Sequence, residues 1–250
     1  MKRMITMAVL MMVASGLSAE TADELLARID AQRSIPDMSF VMEVRSYDGD
    51  AQTDSNTLWG FVKFGTGPSK CVMDFVAPAS VKGRKMLMDG NVVYLLFPKT
   101  RNPIRLSPLQ ILMGEASNGD VARTGFSRDY EVASLTEEIR DGVACDVFHL
   151  SVKQSMKDAS YKQVTLWVDK STLRPISAEF YASADKLLKR AFYKDYADVQ
   201  GKDVPMVMDI YDAENPQKHT VLAYKKIGTR AVPVTVFSRD YLVAWAPEEP

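Results

Sequence analysis

Two cysteines and two histidines in 250 residues leave little for metal or thiol chemistry. A structural zinc with four Cys/His ligands would need all of them, and their spacings fit no zinc pattern. No Gly-x-Ser-x-Gly elbow, His-Glu-x-x-His helix or Walker loop occurs. No catalytic residue, metal ligand or cofactor is therefore expected. Basic excess is also missing. The 31 Lys and Arg face 32 Asp and Glu, a formal net charge of −1, which excludes a chain that lives on nucleic acid. With only 13 Gly and 12 Pro, collagen-like and low-complexity architectures are excluded too. What remains is 46% hydrophobic and 25% charged, a soluble globular composition with ample length for a buried core.

There is one uncharged apolar run of note. Lys2 and Arg3 precede Ile5 to Val13, and a small-residue stretch follows up to Ala19. This pattern reads as a secretory signal over residues 1–19, cleaved before Glu20. The run is shorter than the roughly 20 apolar residues a membrane span needs. Loss of Lys2 and Arg3 takes the 31 basic residues to 29 against 32 acidic, a net −3. An exported, soluble, periplasmic protein is expected. In that oxidising setting Cys71 and Cys145 could pair. Each sits in an apolar strand-like run, and two buried free thiols are the expectation.

The residues after Ala19 begin with a capping box, Thr21-Ala22-Asp23-Glu24. Leu25, Leu26 and Ile29 follow at helical spacing, and the helix must end before Pro36. Beyond Pro36 the apolar period changes to two. Met38, Phe40, Met42 and Val44 alternate with Ser39, Val41, Glu43 and Arg45. Similar runs recur near residues 58–64, 70–76, 84–89, 92–97, 143–152, 161–169, 175–181, 187–196, 204–211 and 219–227. Asp89-Gly90-Asn91 marks a tight hairpin. The pattern predicts a mainly β protein: an antiparallel sheet of about ten strands, strongly curved or partly closed. Ser107-Pro108 reads as the start of a short helix carrying Leu109, Ile111, Leu112 and Met113. The polar stretch 115–120 follows, so Ser107 to Asp120 is expected to be a mobile lid.

Nine methionines remain beyond residue 19, and several share strand faces. By parity, Phe40, Met42, Met73, Phe75, Met86, Met88, Met206 and Met208 fall on one side of the sheet. Trp59 and Phe61 are added to that side, although Leu58, Val62 and Phe64 compete for it. Methionine moulds to varied apolar shapes, so these ten residues are candidates for an apolar cavity. Leu109, Leu112 and Met113 would be its lid. An ordinary core is the competing reading. Lys82, Arg84, Lys85, Lys99 and Arg101 form a basic rim, either a solvated edge or a surface for acidic headgroups.

Several segments resemble the LolA-like outer-membrane lipoprotein-sorting family. They are Ala77-Pro78-Ala79-Ser80-Val81-Lys82-Gly83-Arg84-Lys85-Met86-Leu87, Tyr94-Leu95-Leu96-Phe97-Pro98-Lys99 and Met113-Gly114-Glu115-Ala116-Ser117-Asn118-Gly119-Asp120-Val121. Tyr161 to Asp169, Pro175 to Tyr181 and Lys186 to Arg190 fit as well. The likeness is to the family's broad branch more than to the carrier LolA itself. It implies a single domain over residues 20–250, an incomplete antiparallel barrel whose concave face is covered by helices. It also implies carriage of lipid or lipoprotein acyl chains toward the outer membrane, transient membrane contact and an RND-type transporter as partner. Two other classes compete: an envelope interaction module without ligand, and an envelope hydrolase.

Overall fold

The computed structural model describes residues 20–64, 69–90, 92–106, 111–117, 120, 125–156 and 161–244, with 111–113 as backbone only. The expected cleaved segment 1–19 and Leu109 lie outside these residues. Helix α1 (Ala22–Arg33) starts where the capping box places it. The Thr21 hydroxyl accepts from the Glu24 backbone N–H at 3.2 Å, and the Glu24 carboxylate accepts from the Thr21 N–H at 2.8 Å. Such a cap contributes about 1 kcal/mol.

Among the described residues fifteen strands follow: β1 (Asp37–Asp48), β2 (Ala51–Lys63), β3 (Lys70–Ala77), β4 (Lys85–Asp89), β5 (Val92–Leu96), β6 (Ile104–Leu106), β7 (Ile111–Met113), β8 (Ala116–Ser117), β9 (Tyr130–Arg140), β10 (Val143–Val152), β11 (Gln163–Asp169), β12 (Pro175–Ser183), β13 (Lys186–Val199), β14 (Lys202–Asp212) and β15 (Lys218–Thr229). A last helix, α2, spans Arg239–Ala244. Thirteen strands form one antiparallel sheet in the order β6-β5-β4-β3-β2-β1-β15-β14-β13-β12-β11-β10-β9. The expected curved antiparallel sheet is present, with thirteen strands rather than about ten. It does not close, because β6 and β9 stand at opposite edges. Register shifts at Val41/Met42, Ser46/Tyr47, Thr57/Leu58 and Phe180/Tyr181 add the local bends that curl the sheet.

Strand parity sorts the apolar residues into separate layers. On the concave side, Phe40, Met42, Leu58, Val62, Met73, Phe75, Met86 and Met88 form one cluster with Val204, Ile210, Leu222 and Ala116. Phe40 packs against Gly60, where a Cβ would stand 2.5 Å from Phe40 Cζ and 2.8 Å from the Val72 carbonyl oxygen. Only glycine admits that contact. In the other half of the sheet, α1 lays Leu26 and Ile29 onto Phe148, Leu150, Val164, Leu166 and Ala178. Burying each of those two α1 side chains contributes roughly 1.5–3 kcal/mol. On the convex side, Val236, Phe237 and Leu242 of the C-terminal segment cover Phe61, Val72, Leu87 and Leu96.

The chain between β6 and β9 must pass from one edge of the sheet to the other. It does so with a small hairpin, β7 and β8, which forms its own two-stranded sheet. The expected helix over Leu109 to Met113 is thus corrected: residues 111–113, including Leu112 and Met113, are a strand. Pairing to Ala116 and Ser117 supplies hydrogen bonds that a lone short helix would leave open. Nor is this segment separate from the core, as the lid reading expected. Ala116 and Ser117 are fully buried. Gly114 has φ +51, and a Cβ there would fall 2.2 Å from Ser46 Oγ and 2.3 Å from Thr220 Oγ1. The Glu115 N–H donates to Thr220 Oγ1 at 2.7 Å. The turn is therefore pinned to β1 and β15, the centre of the concave face.

Candidate functional site

Two adjoining cavities, partly open to solvent and enclosing about 40 and 50 Å3, lie under the crossing segment. The floor is β13 and β14, where Ala191, Tyr193, Met208 and Ile210 face inward. One lobe runs toward Phe126, Tyr130, Tyr161 and Phe180. The other runs toward Ile35, Met38, Met42, Phe64, Leu222 and Tyr224. Arg33, Asp120, Tyr193 and Met208 line both lobes, so the two meet at these four residues. The small side chain of Ala191 leaves room that a larger residue would fill.

Polar groups converge where the lobes meet. Arg33 ends α1 and donates from Nη2 to Asp30 Oδ1 at 2.9 Å. Asp30 Oδ2 accepts from the Phe126 and Ser127 N–H groups, each at 2.7 Å. The helix end thereby holds the turn after the crossing segment. The Arg33 guanidinium lies 5.2 Å from the Phe126 ring centroid and 6.0 Å from that of Tyr193. Burial works against its charge. The Asp30 carboxylate, together with Tyr193 and Tyr196, outweighs this, and the pKa stands above its usual value. Lys189 donates to Asp120 Oδ2 at 2.7 Å and to the Glu115 carbonyl at 2.5 Å. Asp120 also accepts from Tyr161 Oη at 2.7 Å and from the Ser117 N–H at 2.8 Å. Burial pushes the Tyr193 hydroxyl up to about 12. One buried and one half-buried ion pair thus sit in an otherwise apolar chamber.

The sequence candidates separate into three groups. Met42 and Met208 line the cavities. Phe40, Met73, Phe75, Met86 and Met88 share the concave side but are buried in the packed cluster. Met206 is half-buried and belongs to none of the core clusters. Trp59 and Phe61 are corrected. The competing residues Leu58 and Val62 take the concave face, and Phe61 packs on the convex side against Val236 and Phe237. Period two leaves no alternative once Leu58 points inward. Sequence reasoning missed Asp30, Arg33, Asp120, Lys189 and Tyr193. Asp30 and Arg33 follow Leu26 at i+4 and i+7, the buried stripe of α1, and that spacing would have found them.

Elsewhere, Cys71 and Cys145 are free and buried in different clusters. Burial raises both thiol pKa values, which works against thiolate chemistry. His219 is stacked between Tyr47 and Tyr211 at 4.7 and 4.8 Å. Among the described residues no group of His, Cys, Asp or Glu could hold a metal ion. None of their helices is long and apolar enough to cross a membrane.

A family model described as "Uncharacterized protein" matches residues 67–244. Comparison with curated proteins returns no match. Among solved structures, an outer-membrane lipoprotein-sorting protein domain from Vibrio parahaemolyticus is similar in fold. It has 19% identity and a TM-score of 0.77, over 88% of this chain and 97% of that one. A DUF1329 family protein from Desulfovibrio piger shares the fold at 20% identity and a TM-score of 0.75, covering 88% and 97%. A LolA superfamily protein from Nitrosomonas europaea is 32% identical with a TM-score of 0.79, over 89% of this chain and all of that one. At that identity over a complete relative, the chain belongs to the LolA superfamily.

Proposed function

We propose that this protein is a periplasmic carrier that binds the acyl chains of lipids or lipoproteins in the two-lobed cavity and passes them toward the outer membrane. The observation that carries this reading is the apolar chamber between α1, the crossing segment and the β13–β14 floor, in a chain of this superfamily. Each CH₂ moved from water into such a chamber is worth about 0.8 kcal/mol. Carriage needs no covalent step, and the reading assigns no catalytic residue. A protein made with residues 1–19 as an export signal would meet its load in the periplasm.

Delivery needs a surface that touches a membrane or a transporter. The β5–β6 edge offers one. Phe97 and Ile104 are exposed there, beside the exposed Lys82, Lys99, Arg101 and Arg105. Apolar tips among cations suit brief contact with an anionic leaflet. An RND-type transporter would be the matching partner for hand-over.

The test is organic extraction and mass spectrometry of protein purified natively, alongside titration with a fluorescent acyl probe. Co-purified acyl lipid, displaced by the probe at one-to-one stoichiometry, is expected. A protein that carries no lipid and binds no probe would leave the concave face as plain core, and the interaction-module reading would replace this one.

A further inference from the structure

The chamber's polar junction says which acyl compounds fit. Arg33 is 7% exposed and lines both lobes. Its guanidinium has five N–H donors. Nη2 reaches Asp30, whereas Nε is buried with no acceptor. An unmatched buried donor is unfavourable, so the site gains from any ligand that brings an acceptor there. The charge balance decides what kind. Arg33 is already neutralised by Asp30, and Lys189 by Asp120. The junction holds two cations and two carboxylates. A free fatty-acid carboxylate would place a third negative charge beside two buried ones, a desolvated arrangement without a matching cation. A neutral carbonyl adds an acceptor and no charge.

We propose that the cavity is selective for O-acyl esters, with the ester carbonyl oxygen accepting from the Arg33 guanidinium while the chain lies in the apolar lobes. This rests on the carrier reading and narrows its ligand. Arg33 acts here as a specificity residue, and free fatty acids and alkyl ethers are discriminated against.

The experiment uses the protein without residues 1–19 and three probes of equal chain length: 1-monopalmitoylglycerol, its 1-O-hexadecyl ether and palmitate. The ester is expected to bind at least about tenfold tighter than the ether, since loss of the carbonyl leaves the donor unmatched again. It should also bind tighter than palmitate at neutral pH. Arg33→Lys keeps the charge opposite Asp30 but loses the planar fork. The double variant Asp30→Asn/Arg33→Met removes the pair together. In whichever variant keeps the native circular dichroism, ester and ether should converge to within about twofold. Equal wild-type affinities for ester and ether, a preference for palmitate, or discrimination that survives loss of Arg33 would each overturn the proposal. If the wild type prefers the ester and neither variant folds, the measured ratio still supports it. Wild-type binding of none of the three probes would instead bring down the carrier reading itself.

Discussion

Met73, Met86 and Met88 on one side and Met208 on the other occupy the same concave face of the same sheet, yet they do different things. The first three are 0–2% exposed in a packed cluster built mainly on β1–β5. Met208 is half-buried and lines both cavities. In the first region large side chains meet one another: Phe40 fills the hollow over Gly60, and Phe75 and the methionines close the rest. In the second, Ala191 leaves space, and the cover comes from a helix end and a crossing segment held by ion pairs. Strand parity therefore assigns a face. Side-chain volume and the identity of the cover decide whether that face is core or chamber.

The largest contrast should come from charge insertion. Met73→Asp places an unpaired carboxylate in dry core and is expected to cost more than about 4 kcal/mol, abolishing the cooperative thermal transition. Met208→Asp should leave that transition in place and remove acyl binding. If both variants stay folded, Met73 belongs to the chamber after all.

Next comes the cover. Gly114→Ala combines a positive φ with overlap onto Ser46 and Thr220, and is expected to destabilise by roughly 2–4 kcal/mol. Hydrogen exchange should quicken in residues 114–117 while β10 and β11 keep their protection. Unchanged exchange would mean that the pinning contributes nothing.

A smaller effect concerns Tyr193. Burial raises its hydroxyl to about 12 in the folded chain, above the usual value near 10. The fold thus favours the protonated form. That contribution is intact below pH 10 and is lost as pH climbs from 10 toward 12. Tyr193→Phe should flatten this alkaline loss, by an amount on the order of 2 kcal/mol at its upper end. Identical alkaline melting profiles for both proteins would refute it.

The smallest effect tests the two faces of β2. Trp59 does not share the inward face of Leu58, so Trp59→Ala should leave probe affinity within about twofold while lowering stability modestly. A clear loss of binding would return Trp59 to the chamber.

Much of this architecture was legible in the chain. The capping box, the period-two runs and the Asp89-Gly90 hairpin each lead to an observed element, and the eleven runs named from periodicity correspond to strands of the large sheet. The two it lacked are its edges, β6 and β9. In β9 nearly every residue from Glu131 to Ile139 is exposed, Leu135 and Ile139 included, so no regular buried face marks it, as fits an edge strand half open to water. β6 has only three residues. The site was less legible. The Asp30–Arg33 pair was readable from helical spacing, but the Lys189–Asp120 pair joins residues 69 apart. Only the route of the crossing segment brings them together. The methionine pattern pointed to the right face, but Met73, Met86 and Met88, expected to line the cavity, lie in packed core.

The order in which the strands are joined has a kinetic consequence. β1 pairs with β15, so Met38 faces Thr229 and Asp48 faces Lys218. This one seam unites the two meanders of the sheet, and its partners are 170 residues or more apart. Contacts of that sequence separation are slow to form, because a long loop must close before they repay its entropy. The first half of the sheet is left with an open inner edge until the last strand arrives. A growing or translocating chain therefore cannot complete its fold early. Its sheet stays incomplete until nearly all of the chain has emerged, and a chain cut after β14 would expose the β1 edge to pairing with another copy.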